Sequence, residues 1–222
     1  MNSLNTFRIV LVSLALITGS YALASSFAEL SAMKPPAFPS DPTKINSSIA
    51  GDVPGWLQIA SPFRSDLESN HALIAALQAV QSGKEPTAAT SNQNDSARTR
   101  VKNALSVAPY NPELWLALAL LQAQRDPRDP TFSEALKMSY FVAPNEMKLM
   151  PVRLDTATLF DALADPDLKE LVRGDVRLMV TRRPALRASV VSAYRRASSR
   201  GKAFLEEAVQ SIDPSFLPTL RG

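Results

Sequence analysis

Cysteine is absent from all 222 positions. Its absence removes disulfide frameworks, thiolate zinc sites, iron–sulfur clusters, thiol nucleophiles and cysteine lipidation in one step. Histidine occurs once, as His71, and glycine only seven times. A lone imidazole leaves little from which to build a metal centre or a histidine-based triad, and so few glycines leave little for a phosphate cradle. No G-x-S-x-G elbow is present either. The expectation is therefore a protein with no catalytic residue, no metal and no cofactor. His71 reads as a partly buried or surface residue, and Asp161, Asp165 and Asp167 read as helix-end caps rather than an acid/base group. Long apolar runs are scarce too. With 45% apolar and 20% charged residues the chain fits a globular class, with length for one substantial domain or two small ones.

The one long apolar run is at the start. Arg8 is the only side-chain charge before the stretch 9–17, and small residues at Ala22 and Ala24 follow. A positive start, a short apolar helix and an A-x-A spacing are the parts of a secretory signal, with cleavage after Ala24. Residues 9–28 carry no charge at all, and about 20 apolar residues span a bilayer, so a retained anchor is the other reading. Either places the body in a periplasmic or other extracytoplasmic compartment, most simply a bacterial cell envelope. Pro35, Pro36, Pro39 and Pro42 then forbid a continuous helix and favour an extended linker. A turn at Gly51 to Gly55 closes it, and Trp56 to Ile59 pack onto the domain edge.

From Pro62 onward apolar residues recur every three or four positions, which predicts an all-α body. Ser65 with Glu68 and Thr131 with Glu134 have capping-box spacing, while Asn111-Pro112, Asp129-Pro130 and Asp165-Pro166 put a capping side chain ahead of a first-turn proline. The predicted helices cover 65–81, 95–107, 112–124, 130–142, 145–164, 166–181, 184–199 and 202–212. Ser82-Gly83-Lys84 reads as a helix end, and 87–96 is polar enough to read as a flexible excursion. Buried stripes follow from the spacing of Leu114, Leu118 and Leu121 with Trp115 and Ala119, of Leu149, Val152, Leu159 and Leu163, of Leu186, Val190, Tyr194 and Ala197, and of Phe204, Leu205, Ala208, Val209 and Ile212.

An internal echo runs through the body. Pro62-Phe63-Arg64-Ser65-Asp66-Leu67 matches Pro109-Tyr110-Asn111-Pro112-Glu113-Leu114 in register, and Val107-Ala108-Pro109 recurs 35 residues later as Val142-Ala143-Pro144. Trp115, Leu118 and Ala119 hold W-x-x-L-G spacing with alanine for the glycine, and Ala104 precedes Pro109 by five. On these residues the chain resembles the tetratricopeptide repeat family. The resemblance implies a short array of antiparallel helical hairpins, a TPR-like α-solenoid, whose groove binds proteins and performs no chemistry. The expected division is 1–24 signal or anchor, 25–61 Pro-rich linker, 62–181 hairpin array and 182–222 basic C-terminal helices continuing or capping it.

Charge is uneven. Between Arg173 and Lys202 there are nine basic side chains against Asp175 alone, a net +8, and the rest of the form cleaved after Ala24 carries −6. Arg173, Arg177, Arg182, Arg183, Arg187, Arg195, Arg196 and Arg200 make a candidate surface for an anionic partner, because clustered guanidinium groups sum their fields and pair bidentately with carboxylate or phosphate. A solvated helix face is the alternative account of the same residues. The function expected from sequence is an exported, non-enzymatic scaffold for a protein partner; the second reading is a binder of a membrane surface or acidic polysaccharide through these arginines. Nucleic acid is not expected, since no aromatic residue interleaves the arginines apart from Tyr194 on the apolar stripe.

Overall fold

Asn111, Asp129 and Asp165 each stand in front of a proline, and each opens a helix. In the computed structural model, which describes residues 3–32, 38, 65–82, 88–160 and 162–222, the chain is all-helical. The helices are α1 (Ser3–Ala32), α2 (Ser65–Ser82), α3 (Ala88–Val107), α4 (Pro112–Arg125), α5 (Pro130–Val142), α6 (Met150–Leu159), α7 (Pro166–Arg177), α8 (Arg187–Arg196), α9 (Ser199–Ile212) and α10 (Leu217–Arg221). Among the described residues there is no strand. The caps work as the sequence requires: Asn111 accepts from the backbone N–H groups of Glu113 and Leu114, and Asp165 from those of Asp167 and Leu168. At α5 the two expected signals compete, and Asp129 is the cap. It accepts from both the N–H and the hydroxyl of Thr131, so Thr131 does not lead a capping box of its own.

α2 pairs with α3, and α4 pairs with α5. The hairpins stack because α4 lies against both α2 and α3, and the small residues Ala76, Ala104 and Ala119 are fully buried. Hairpin stacking then stops. α6 packs chiefly on α8, and α7 on α9, so the C-terminal helices form a bundle rather than a third hairpin of the same kind. Polar contacts hold the start of α3: Asn94 Nδ2 donates to Gln124 Oε1 at 2.9 Å and to Leu121 O at 3.3 Å, and Gln124 Nε2 donates to Val80 O at 2.7 Å. For this reason 88–96 is helical instead of a flexible excursion.

The expected helix over 145–164 divides into a turn, α6 and a short 3-10 segment, Ala162–Ala164. Pro151 sets the start, because its ring is tolerated only in a first turn. A π turn, Leu178–Arg182, ends α7, and a 3-10 turn at Pro184–Leu186 precedes α8. α10, which periodicity did not indicate, begins around Pro218. The expected stripes are largely buried, with corrections: Leu159 is 39% exposed, Leu186, Tyr194 and Ile212 are only partly buried, and so is Trp115, its Nε1 donating to Pro109 O at 2.8 Å.

α1 is one continuous helix whose described apolar side chains, Phe7 to Leu23, are 54 to 72% exposed. Among the described residues no helix is long and apolar enough to cross a membrane. In the Pro-rich stretch Phe38 is buried as part of the core. The expected linker over 25–61 is corrected at its start, since 25–32 complete α1; 33–37 and 39–61, with the Gly51 to Gly55 turn and Trp56 to Ile59, the Pro62-Phe63-Arg64 start of the echo, the side chain of Ser65, the helix end at Gly83 and Lys84, and Asp161 lie outside the described residues.

Two glycines test the packing. A Cβ on Gly201 would lie 2.3 Å from Thr158 O, the carbonyl that also accepts from Ser198 N at 3.0 Å and Ser198 Oγ at 2.9 Å. Nothing lies within 4 Å of a Cβ on Gly174. Gly201→Ala is expected to lose ~1–3 kcal/mol despite alanine's better helix propensity, and Gly174→Ala to gain ~0.5–1 kcal/mol. Urea unfolding of the two variants reads both signs; a stabilised Gly201→Ala would mean that α9 does not abut α6 this closely.

Candidate functional site

The Arg-rich region separates into two groups. Arg173 NH2 donates to Glu207 Oε1 at 2.8 Å and its guanidinium lies 5.6 Å from the Phe204 ring centre, which ties α7 to α9. Arg187 Nε donates to Val180 O at 2.8 Å, NH2 donates to Asp213 Oδ2 at 3.1 Å, and Phe216 packs beneath the guanidinium. Arg196 Nε donates to Asp155 Oδ1 at 2.8 Å, joining α8 to α6. Arg200 also has an interaction within the fold. Arg177, Arg182, Arg183 and Arg195 are exposed and have no acidic partner among the described residues. The eight candidates are therefore not one free surface: at least three of them fasten helices together.

Of the three carboxylates singled out in the sequence, Asp165 serves structure. Asp165 caps α7 and meets Lys137 Nζ at 2.7 Å, and these contacts, led by the lysine, hold its carboxyl below the usual range. His71 is half-buried; burial lowers its pKa, against the pull of Glu68, with Arg100 adding to the lowering. No group of three or more metal-ligand side chains forms among the described residues.

Sequence reasoning missed a buried charged cluster. Arg153 on α6 has no exposed surface, yet it keeps a guanidinium. Its Nε donates to Ser139 Oγ at 2.9 Å, NH1 donates to Ala143 O at 2.9 Å, and NH2 donates to Ser139 O. Ser139 Oγ in turn donates to Pro112 O at 3.1 Å. Arg153 thus caps the C-terminal end of α5, where carbonyls lack helical partners and positive charge is favoured. The Tyr140 ring lies 4.8 Å from its guanidinium carbon, and Asp175 on α7 supplies the buried negative charge. Burial, opposed by Arg153, raises the Asp175 pKa to about 7. Burial and then Asp175 push the Tyr140 hydroxyl well above its ordinary value. Neither the Tyr140 hydroxyl nor Asp175 Oδ2 completes a hydrogen bond among the described residues. A signal was available: Arg153 falls four residues after Leu149 and Asp175 three after Val172, both in register with apolar stripes.

Two open grooves lie elsewhere. One, of about 590 Å³, is lined by residues 107–113 with Glu146 and Lys148, where the turns after α3 and α5 meet. Tyr110 is 84% exposed and Val107 58%, with Phe141 at the end of α5 and Met147 in the turn after it also exposed. Burial raises the Glu113 carboxyl, with Lys148 opposing and Glu146 reinforcing the rise. The other, of about 440 Å³, runs along α8 beside Phe216 and Thr219. Both grooves are open to solvent, and the buried cluster fastens α5, α6 and α7.

The cluster yields two measurable effects. Folded Asp175 holds its proton to about pH 7, whereas an unfolded aspartate loses it near 4, so folding takes up a proton between these values. This contribution to stability is full below pH 4 and lost as the pH rises towards 7. Asp175→Asn should match wild type near pH 4 and exceed it at pH 8 by at most ~4 kcal/mol, because each tenfold difference in proton affinity between folded and unfolded chain is worth ~1.4 kcal/mol. Equal gaps at pH 4 and pH 8 in denaturant unfolding would contradict the assignment. Arg153→Met, which strips the α5 carbonyls of their donor, should cost ~3–5 kcal/mol. No family model, curated protein or solved structure matches the chain.

Proposed function

We propose that the chain is an exported, non-enzymatic scaffold of the cell envelope, with α2 to α5 as two hairpins of a TPR-like array that binds a protein partner. The observation that carries the binding part is the turn-end groove with Tyr110, Val107 and Met147 exposed around it, beside Glu113, Glu146 and Lys148. Large apolar side chains gathered at a polar-rimmed surface mark interaction sites more often than isolated ones do. Export is supported by α1: its apolar side chains stand exposed, and Arg8 precedes its charge-free run.

The two parts have separate tests. Fusing residues 1–61 to a phosphatase that is active only after disulfide formation outside the cytosol should give activity that deletion of 9–17 abolishes. Intact mass then distinguishes cleavage after Ala24 from a retained anchor, and an inactive fusion removes the export reading. For binding, a photo-crosslinking amino acid at Tyr110 in the full chain should give one adduct of fixed mass in membranes. The same group at exposed Arg128 should give none, and adducts at neither or equally at both sites remove the groove.

A second reading, binding to a membrane surface or acidic polysaccharide, is favoured by the exposure of Arg177, Arg182, Arg183 and Arg195 without acidic partners among the described residues. Detergent-solubilised full chain should then be retained on dextran sulfate. Reversing the four arginines to glutamate should lower the eluting salt concentration several-fold. Unchanged elution removes this reading.

A further inference from the structure

The groove along α8 has features that a generic basic face lacks. Arg187, Val191 and Arg195 follow one another at intervals of four residues, so they lie on one face of α8. Ala188 and Ser192 lie next to that row, and Phe216 closes the groove from a 3-10 turn, Pro214–Phe216, that follows α9. Phe216 is nearly buried and Val191 half-buried, so the apolar surface is recessed between two guanidinium groups. Eight residues at ~1.5 Å rise place the two arginines ~12 Å apart along the helix. Arg187 is already shared with Asp213, whereas Arg195 is exposed and has no acidic partner among the described residues. Ser192 Oγ accepts from Arg196 NH1 at 2.8 Å, which leaves its own proton free to donate outward.

We propose that this groove is a docking site for an acidic segment of a partner protein, one that sets an apolar side chain between two carboxylates. Charge selects the partner: the charged side chains lining the groove are Arg187 and Arg195, with no acid among the lining residues, and the stronger contact falls at Arg195. Spacing selects the segment. In an extended peptide at ~3.3 Å per residue, acidic residues four apart are ~13 Å from each other, and the residue midway points to the same side. An acid–x–apolar–x–acid pattern therefore matches Arg187, the Val191–Phe216 floor and Arg195. A layer of lipid headgroups matches less well, because a flat surface meets the guanidinium rims but does not reach a recessed floor. This surface is distinct from the turn-end groove, so the scaffold would hold two partners, or two parts of one, at sites of different charge.

The test uses full chain in a neutral detergent and a fluorescein-labelled heptapeptide with glutamate second and sixth, leucine fourth, and glycine or serine elsewhere. Saturable fluorescence anisotropy at low salt is expected. Affinity should fall at least tenfold with Arg195→Glu, with Ala188→Glu, and with a peptide carrying serine for the leucine. Circular dichroism melts confirm that these variants of exposed residues stay folded. Arg182→Glu with Arg183→Glu should change affinity no more than about twofold. Equal loss in that control pair shows a field effect without a groove, and equal binding of the serine peptide shows that the apolar floor is unused; either result overturns the proposal. So does competition by glycerophosphoglycerol, the water-soluble headgroup of an anionic phospholipid, at concentrations where free glutamate does not compete. Sedimentation showing self-association that Arg195→Glu abolishes would assign the groove to a second copy instead, and no peptide binding at all rejects the site. These outcomes are independent of crosslinking at Tyr110, so the scaffold reading stands or falls separately.

Discussion

A guanidinium that cannot lose its charge and cannot reach water must be satisfied where it is buried. Arg153 meets that constraint with three donors aimed at Ser139 and Ala143, an aromatic face at Tyr140 and the acidic side chain of Asp175 in the same buried cluster. The desolvation of such a charge costs several kcal/mol, so its partners are held in one geometry or the helices do not stay packed. Because those partners come from the end of α5 and from α7 while Arg153 itself stands on α6, the same side chain ties the second hairpin to the first helices of the bundle. Ser139, passing its own hydrogen bond to Pro112 O, carries the constraint one helix further, to the start of α4.

The other arginines divide according to what lies across from them. Where an acid on a neighbouring element comes within reach, as Asp155, Glu207 and Asp213 do, the guanidinium joins two elements, and part of its hydrogen-bonding capacity is taken up inside the fold. Where none does, as at Arg177, Arg182, Arg183 and Arg195, the charge remains available to a partner. Exposed pairs such as Lys169 with Glu207 add little stability on their own, so the stapling role rests mainly on the partly buried contacts and on the rings of Phe204 and Phe216 beneath the guanidinium groups. A net charge read along the chain cannot separate these cases, because the acids that neutralise Arg187 and Arg196 are 26 and 41 residues away.

The same distinction explains what was legible in the sequence. Caps are local: Asn111, Asp129 and Asp165 need only the next two or three N–H groups, so proline and acid marked those helix starts within a residue. Apolar stripes are nearly as local, and most side chains expected in the core are there. The polar first half of α3 was not legible, because its support comes from Gln124, which reaches back to Val80 O across the stack. Arg153 and Asp175 stood in apolar register, but a charge in a stripe acquires meaning only when its opposite number on another helix is known. Of the candidate surface, the residue types were legible and their availability was not. The helix order of α2 to α5 was legible from these local signals, whereas the long helix expected over 145–164 was not realised, because Pro151 can stand only in a first turn and so delays the start of α6 to Met150.

The stop in hairpin stacking after α5 has a functional consequence. A long solenoid presents a continuous concave wall because each repeat leaves the same face open and covers its other face with the next repeat. Two hairpins followed by a bundle have little such wall. Gly201 brings α9 against Thr158, and Arg196 brings α8 against α6, so the bundle packs on itself as well as on the array. What remains open is the turns, with Tyr110 and Val107, and the outer row of α8, with Val191 between two arginines. The open surface of this fold is therefore divided between separate grooves rather than joined in one wall. An exposed aromatic, Tyr110, at one and a guanidinium, Arg195, at the other give the two grooves different chemistry, because an apolar ring offers contact area where a fixed positive charge offers an electrostatic field.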